Sequence, residues 1–303
     1  MQISQQIGPL AGRHADLLAA RLQQHRAAHP PAHRASRRFT SGEVAALLGV
    51  RDAYLRKLSL EGRGPQPETG QGGRRLYTSE NIRALRHMLE AGAKTPGTYL
   101  PGRRPGDPAP IIALCGATPV TAHVAQKCAL DGFTVLALDF DPAGGLTALL
   151  GPETLAGLRV QTGPTPHAEP ETDLILLDCP AHALPQAIST ATTLILAARP
   201  TAQDLAALDH NLHALADAQA TADLLYLVTG HDPADAAQTQ LAGILRALFG
   251  DHVLPQTLPD LPSDHTLYDI ARPRAAEARA LDAVNALAAD LQRRIRRAWG
   301  RPT

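Results

Sequence analysis

Beyond residue 110 the chain alternates short unbroken apolar runs with longer stretches of helical period. Ile111–Leu114, Thr134–Leu138, Leu174–Leu177, Thr193–Ala197 and Leu224–Val228 are too short for helices and too uniformly apolar for half-exposed strands, so they read as strands buried on both faces. Strands separated by helical segments form βα units, and such units assemble a mostly parallel sheet flanked by helices. A helical segment from about Pro273 to Trp299 closes the chain.

The first third has a different pattern. An amphipathic stretch from Pro9 to Gln24 places Leu10, Leu17, Leu18 and Leu22 near one helical face, a face suited to packing or dimerisation, before His29-Pro30-Pro31 stops it. A basic segment, Arg34 to Arg38, leads into a compact unit ending near Gly92. Thr40-Ser41-Gly42-Glu43 is a capping box, in which a hydroxyl and a carboxylate three residues apart satisfy each other's free backbone amides. Val44, Leu47 and Leu48 give the helix an apolar face, Gly49 permits a tight turn, and Asp52 to Leu60 supplies a second helix. That order is a helix-turn-helix pattern. Gly70 to Tyr77 carries turn glycines and then Arg74 and Arg75, as a wing touching phosphates would. Thr78 starts another helix through Ile82, Leu85 and Met88. Pro and Gly then crowd Thr95 to Pro110, which reads as a linker. The expected segments are therefore 1–33, a helix suited to dimerisation; 34–94, an α-helical winged helix-turn-helix; 95–110, the linker; and 111–303, the α/β domain.

Charge sharpens this division. The chain is neutral overall, yet residues 1–104 hold 17 Lys and Arg against 7 Asp and Glu, and residues 105–292 hold 7 against 22. The last eleven residues add five arginines. A basic front on an acidic body fits a nucleic-acid-binding module, although a solvated charged surface accounts for charge alone. Arg293, Arg294, Arg296 and Arg297 end the last helix, where they suit either a polyanion or the helix dipole. No apolar run reaches the roughly 18 to 20 residues of a bilayer span, so a cytoplasmic location is expected. Cys115, Cys128 and Cys179 lack the spacing of a disulfide framework or a zinc site and read as buried thiols.

The end of the first sheet strand is where a phosphate loop would lie. Such a loop surrounds phosphates with backbone amides, neutralises them with a lysine and ligates magnesium through a hydroxyl. Here the sequence is Leu114-Cys115-Gly116-Ala117-Thr118-Pro119, with one glycine, no lysine and a proline that donates no amide. The only lysines are Lys57, Lys94 and Lys127, and no arginine falls between Arg104 and Arg159. A γ-phosphate would find no cation on this loop.

The run "FTSGEVAALLGVRDAYLRKL", followed by "GGRRLYTSENIRALRHML", resembles the amino-terminal domain of RepA and the larger ParA partition proteins, and more distantly the MerR regulators. "DGFTVLALDFDPAGGLTALLG", "TDLILLDCPAH" and "TLYDIARPRAAEARALDAVNAL" are similar to the ParA nucleotide domain. The resemblance covers most of residues 39–292 and implies a Rossmann-like sheet of the ParA/MinD-type P-loop NTPase fold. It places Arg51, Tyr54, Arg56 and Lys57 on or near the recognition helix, Arg74 and Arg75 on the wing, and makes the late arginines a candidate non-specific DNA contact. Gly116, Thr118, Asp139, Asp141 and Asp178 carry over as a vestigial nucleotide site. The two aspartates after the second sheet strand and Asp178 equally suit capping of adjacent helices.

The chain departs from the family where its chemistry would occur. The loop is shorter by the residues bearing the lysines, Ala143 replaces a glutamine, and Ala181 replaces the second proline of the family's "CPP". The resemblance implies a DNA-binding, nucleoid-associated protein of partition or its transcriptional regulation, a homodimer with a ParA- or ParB-like partner. The degraded loop implies a pseudo-ATPase without catalytic residues, metal or cofactor. Two alternatives stay open: a true partition ATPase with an atypical loop, binding ATP or ADP with magnesium, and a MerR-like regulator whose α/β domain senses another ligand.

Overall fold

A computed structural model describes residues 13, 17, 20, 21, 24 and 37–301, except 152, 153, 164, 181, 182, 219, 220, 271 and 272. The chain divides into residues 1–35 and residues 36–303. The five described residues of the opening segment are helical. The remainder of that expected helix, with Leu10, Leu18 and Leu22, lies outside the described residues.

In the second unit the first elements are β1 (Phe39–Thr40), α1 (Ser41–Leu48), α2 (Asp52–Leu60), β2 (Glu68–Thr69), β3 (Arg75–Tyr77) and α3 (Ser79–Ala91). The capping box forms as its residues dictate, with the Thr40 N–H donating to the Glu43 carboxylate at 2.7 Å and the Glu43 N–H donating back to the Thr40 hydroxyl at 3.4 Å. Gly49 ends α1 at φ 65°, a conformation that glycine adopts without steric cost, and this turns the chain into α2. The three short strands pair antiparallel in the order β1-β3-β2, and the Gly70 N–H closes the hairpin on the Arg74 carbonyl at 2.8 Å. Thr78 and Asn81 cap α3 reciprocally.

The body holds β4 (Ile111–Cys115), α4 (Thr118–Leu130), β5 (Val135–Asp139), α5 (Gly145–Leu150), β6 (Leu158–Thr162), β7 (Leu174–Cys179) and α6 (Leu184–Thr190). It continues with β8 (Thr193–Ala198), α7 (Ala202–Asp217), β9 (Asp223–Val228), α8 (Ala236–Phe249), β10 (Val253–Thr257) and α9 (Ala275–Ala298). Seven parallel strands run in the order β10-β9-β8-β4-β7-β5-β6. Successive residues serve opposite faces: Leu174 and Leu176 point into one core, Ile175, Leu177 and Cys179 into the other. All three cysteines are free and buried.

The two outermost strands, β6 and β10, are not evident as apolar runs. β6 alternates buried Leu158 with exposed Arg159, and β10 contains Pro255, which an edge strand tolerates because one side of its ladder is unused. A register shift between Val253 and Thr257 accompanies it.

The segment 95–110, expected to separate two domains, instead fastens them together. One core joins Phe39, Val44, Leu55 and Leu85 of the small unit with Val120, Phe133 and Leu291 of the body. The Glu90 carboxylate accepts the Tyr99 and Leu100 amides at 2.7 and 3.1 Å, and Asp173 accepts the Arg103 amide at 2.7 Å. The Trp299 indole N–H donates to the Pro108 carbonyl at 3.0 Å, and Arg301 pairs with Asp107. Pro and Gly here mark an irregular path; they leave its backbone well anchored.

Candidate functional site

β4 lies between β7 and β8; the chain runs from β4 past β7 to β5, and later crosses back from β7 over β4 to β8, so the direction of the connections reverses beside β4. Ligands of such sheets bind in the crevice at the carboxyl ends of the strands where the order reverses. Gly116, Thr118, Asp178 and, one strand further, Asp139 and Asp141 all fall at that crevice.

Their hydrogen bonds are mutual. Asp178 accepts the Thr118 hydroxyl at 2.8 Å and the Thr121 hydroxyl at 2.9 Å, one on each carboxylate oxygen. Asp139, fully buried, accepts the Asp141 amide at 3.0 Å on one oxygen and the Thr147 amide at 2.9 Å on the other. The Thr147 hydroxyl adds a bond at 3.1 Å, and Asp141 accepts the Ala143 amide at 2.9 Å. Asp139 and Asp141 thus organise the β5–α5 turn, and Asp178 ties down the start of α4. Burial pushes the Asp178 carboxyl up to about 6; its two hydroxyl donors hold it down, while Asp139 and Asp141 push it further up. Among the described residues no Lys or Arg forms an ion pair with any of the three.

The backbone offers a phosphate little more. The Gly116 N–H donates to the Cys179 carbonyl at 3.1 Å, Pro119 has no N–H, and Val120 and Thr121 donate to the Ala117 carbonyl at 2.9 and 3.1 Å. The amides of Ala117 and Thr118 remain. These residues do not fit a magnesium-bound triphosphate, which needs a cation and a ring of amides. No three His, Cys, Asp or Glu side chains among the described residues are grouped to hold a metal ion.

The candidate DNA-contacting residues have different surroundings. Arg51 caps α2 through its backbone and is exposed, and Tyr54 is 40% exposed. Arg56 pairs with Asp52, and Lys57 lies 3.7 Å from Glu61, so both cations of α2 have acidic neighbours one turn away. Arg74 is exposed and Arg75 half-buried on the hairpin, and neither forms an ion pair among the described residues. On α9, Arg293 and Arg294 share Asp290 at 2.8 and 2.9 Å, Arg296 reaches Gln292 at 3.4 Å, and Arg297 is exposed.

Sequence reasoning missed the residue that joins the two parts. Arg86 of α3 is 4% exposed and donates to the carbonyls of Leu130 at 2.9 Å, Tyr99 at 3.0 Å and Leu47 at 2.7 Å. It therefore binds α1, the segment 95–110 and the C-terminal end of α4 at once. The signal was present: Arg86 stands on the apolar stripe of Ile82, Leu85 and Leu89, where a charge needs a buried partner.

This sheet order with its flanking helices is the ParA/MinD type of P-loop NTPase fold. A solved structure titled "Partition Protein" matches it with a TM-score of 0.61 at 15% identity, over 97% of this chain and 98% of that one. A Rhizobium rhizogenes protein named as a replication protein A is 30% identical, covering 97% of this chain and 96% of its own. The chain belongs to the ParA/RepA-type partition family. SopA of Escherichia coli K12 is 35% identical over 127 residues, 38% of this chain and 30% of SopA. The alignment to the Rhizobium rhizogenes protein spans 387 positions against the 303 residues here, so the relative carries segments without a counterpart in this chain. No family model matches the chain.

Proposed function

We propose that this chain is a DNA-binding member of the partition family that does not hydrolyse ATP, acting at a partition locus or in its transcriptional regulation. The carrying observation is the crevice between Gly116 and Thr121. Its acids are satisfied by Thr118, Thr121, Thr147 and local amides, and no cation accompanies them. A triphosphate placed there would meet three carboxylates and have its charge uncompensated.

DNA binding rests on the small unit: two helices joined at Gly49, a hairpin bearing Arg74 and Arg75, and the exposed Arg51, whose side chain does not cap α2. In this reading α2 enters the major groove and the hairpin cations hold phosphates. The reading includes a homodimer, a ParA- or ParB-like partner and a cytoplasmic, nucleoid-associated location, for which the family relationship is the support. No helix among the described residues is long and apolar enough to cross a membrane.

The test selects bound duplexes from a random-sequence library with the full chain, then measures affinity with and without ATP and magnesium. Sequence-selective binding unchanged by ATP is the expected result. Strict ATP dependence, or magnesium-dependent turnover abolished by Asp139→Ala, overturns it in favour of a working ATPase.

A further inference from the structure

The hairpin of the small unit ends in a nearly bare tip. It follows α2 across residues 61–67 and pairs Thr69 with Arg75. Its last rung is the Gly70 N–H on the Arg74 carbonyl, so the tip itself is Gln71-Gly72-Gly73. Gly72 and Gly73 both have φ 72°. Asn and Asp also serve such positions, and a Cβ on either glycine would meet nothing within 4 Å, so neither the turn nor packing requires that both lack a side chain. Gly70 is different: a Cβ there would stand 2.6 Å from a Leu76 methyl, and this close packing braces the base of the tip.

Gln71 and Arg74 are the only side chains carried by this end of the hairpin. Both are exposed, and neither forms an ion pair or a side-chain hydrogen bond among the described residues. Arg38 and Arg63, by contrast, have Glu68 and Glu61 as partners, and Arg75 is half-buried one residue further from the tip.

A hairpin that only held phosphates would gain from cations and lose nothing by bulk at its tip. Glycines instead let the main chain approach a ligand closely, which carries Arg74 past a phosphate row. With α2 seated in the major groove, the hairpin that follows it meets such a row and the minor groove behind it. That groove is about 6 Å wide and narrower over A·T runs, where its negative potential draws arginine in. Its floor presents only acceptors over A·T pairs but adds the N2 amino donor of guanine over G·C, and a guanidinium has donors alone. Arg and Gln are among the side chains that read this groove.

We propose that Arg74, carried on the Gln71–Gly73 tip, enters the minor groove and selects a run of A·T pairs beside the site that α2 occupies. The inference rests on the DNA-binding reading given above and adds to it a sequence feature of the DNA.

The test uses the full chain and a duplex selected from a random-sequence library. The selected site should carry an A·T run about half a helical turn, or about five base pairs, from its most constrained major-groove positions. Two further duplexes replace that run by G·C pairs or by inosine·cytosine pairs, which keep the major-groove face of G·C but lack the N2 amino group in the minor groove. The G·C duplex should bind at least about tenfold more weakly, and the inosine duplex within about threefold of the selected one. Arg74→Ala changes an exposed side chain and leaves its backbone bond to Gly70 in place, so it should bring all three duplexes within about threefold of one another. Arg75→Ala should weaken all three alike and keep the preference.

Equal binding to A·T and G·C runs, an inosine duplex as weak as the G·C one, or a preference that survives Arg74→Ala overturns the proposal and leaves DNA binding in place. A chain that selects no duplex sinks the DNA-binding reading itself, and the assignment of Arg74 with it.

Discussion

Asp178 shows how strongly a single buried carboxylate depends on the groups around it. A carboxylate buried beside two others is stable as an anion when a cation sits among them; here only the Thr118 and Thr121 hydroxyls oppose burial and repulsion. Its folded pKa of about 6 exceeds the unfolded 3.8, so the native state holds this proton more tightly. The stability it contributes is present below pH 3.8 and is lost as the pH rises through 6. Asp178→Asn keeps the shape, can accept from Thr118 and donate to Thr121, and removes the charge. Urea unfolding should show the variant more stable than wild type by about 2 kcal/mol at pH 7 and equal to it at pH 4. An unchanged or lower stability at pH 7 would mean that a cation reaches the crevice after all. Gly132 makes a steric counterpart. It has φ 103°, and a Cβ there would stand 2.8 Å from the Tyr99 carbonyl oxygen. Gly132→Ala should cost about 2 kcal/mol or more, read as a lower urea midpoint at unchanged m-value.

At the scale of elements, the two basic ends of the chain are not equivalent. Arg74 and Arg75 have no acidic partner on their hairpin, whereas Arg293 and Arg294 already share Asp290 on α9. An arginine that must leave a carboxylate to meet a phosphate gains less from doing so. Replacing Arg74 or Arg75 by Ala should each lower the slope of log affinity against log salt by about 1. Replacing Arg293 should change it by less than half as much, and a larger effect from Arg293 would reassign the DNA surface to α9. The same contrast explains what could be read in advance. Continuous apolar runs betrayed the five inner strands, and local caps such as Thr40 with Glu43 fixed α1, because these signals lie within a few residues. The edge strands β6 and β10 have one unburied side, so Arg159 and Pro255 interrupt them at little cost and hide them. Pairing of Arg293 with Asp290 is set by the i,i+3 spacing within α9 itself. That Lys127 is the one lysine or arginine between Arg104 and Arg159 was equally plain, since cations can be counted. The hydroxyls of Thr121 and Thr147 that satisfy the acids come from the folding of α4 and α5 onto the strand ends, and spacing alone does not reveal them.

For the whole molecule the decisive feature is that the small unit has no separate core. Phe39, Val44 and Leu85 belong to the same apolar cluster as Phe133, Leu287 and Leu291, and the strap at residues 95–110 is bonded along its length to α3, Asp173 and Arg301. A unit of some 60 residues is marginal by itself, so its stability depends on this shared surface. Arg86 lies at the middle of that surface, and its three carbonyl acceptors come from three different segments. Scanning calorimetry of the full chain should therefore give one endotherm in which the small unit and the sheet melt together. Arg86→Met preserves much of the apolar stem but strands three buried carbonyls, a loss of about 3 kcal/mol concentrated at the junction. Cooperativity should break there: the variant should show a second, lower-temperature transition, with hydrogen exchange accelerating in Ser41–Leu48 before it does in Ile111–Cys115. Two endotherms already in the wild type would show that the parts fold independently and that the shared apolar surface does not couple them.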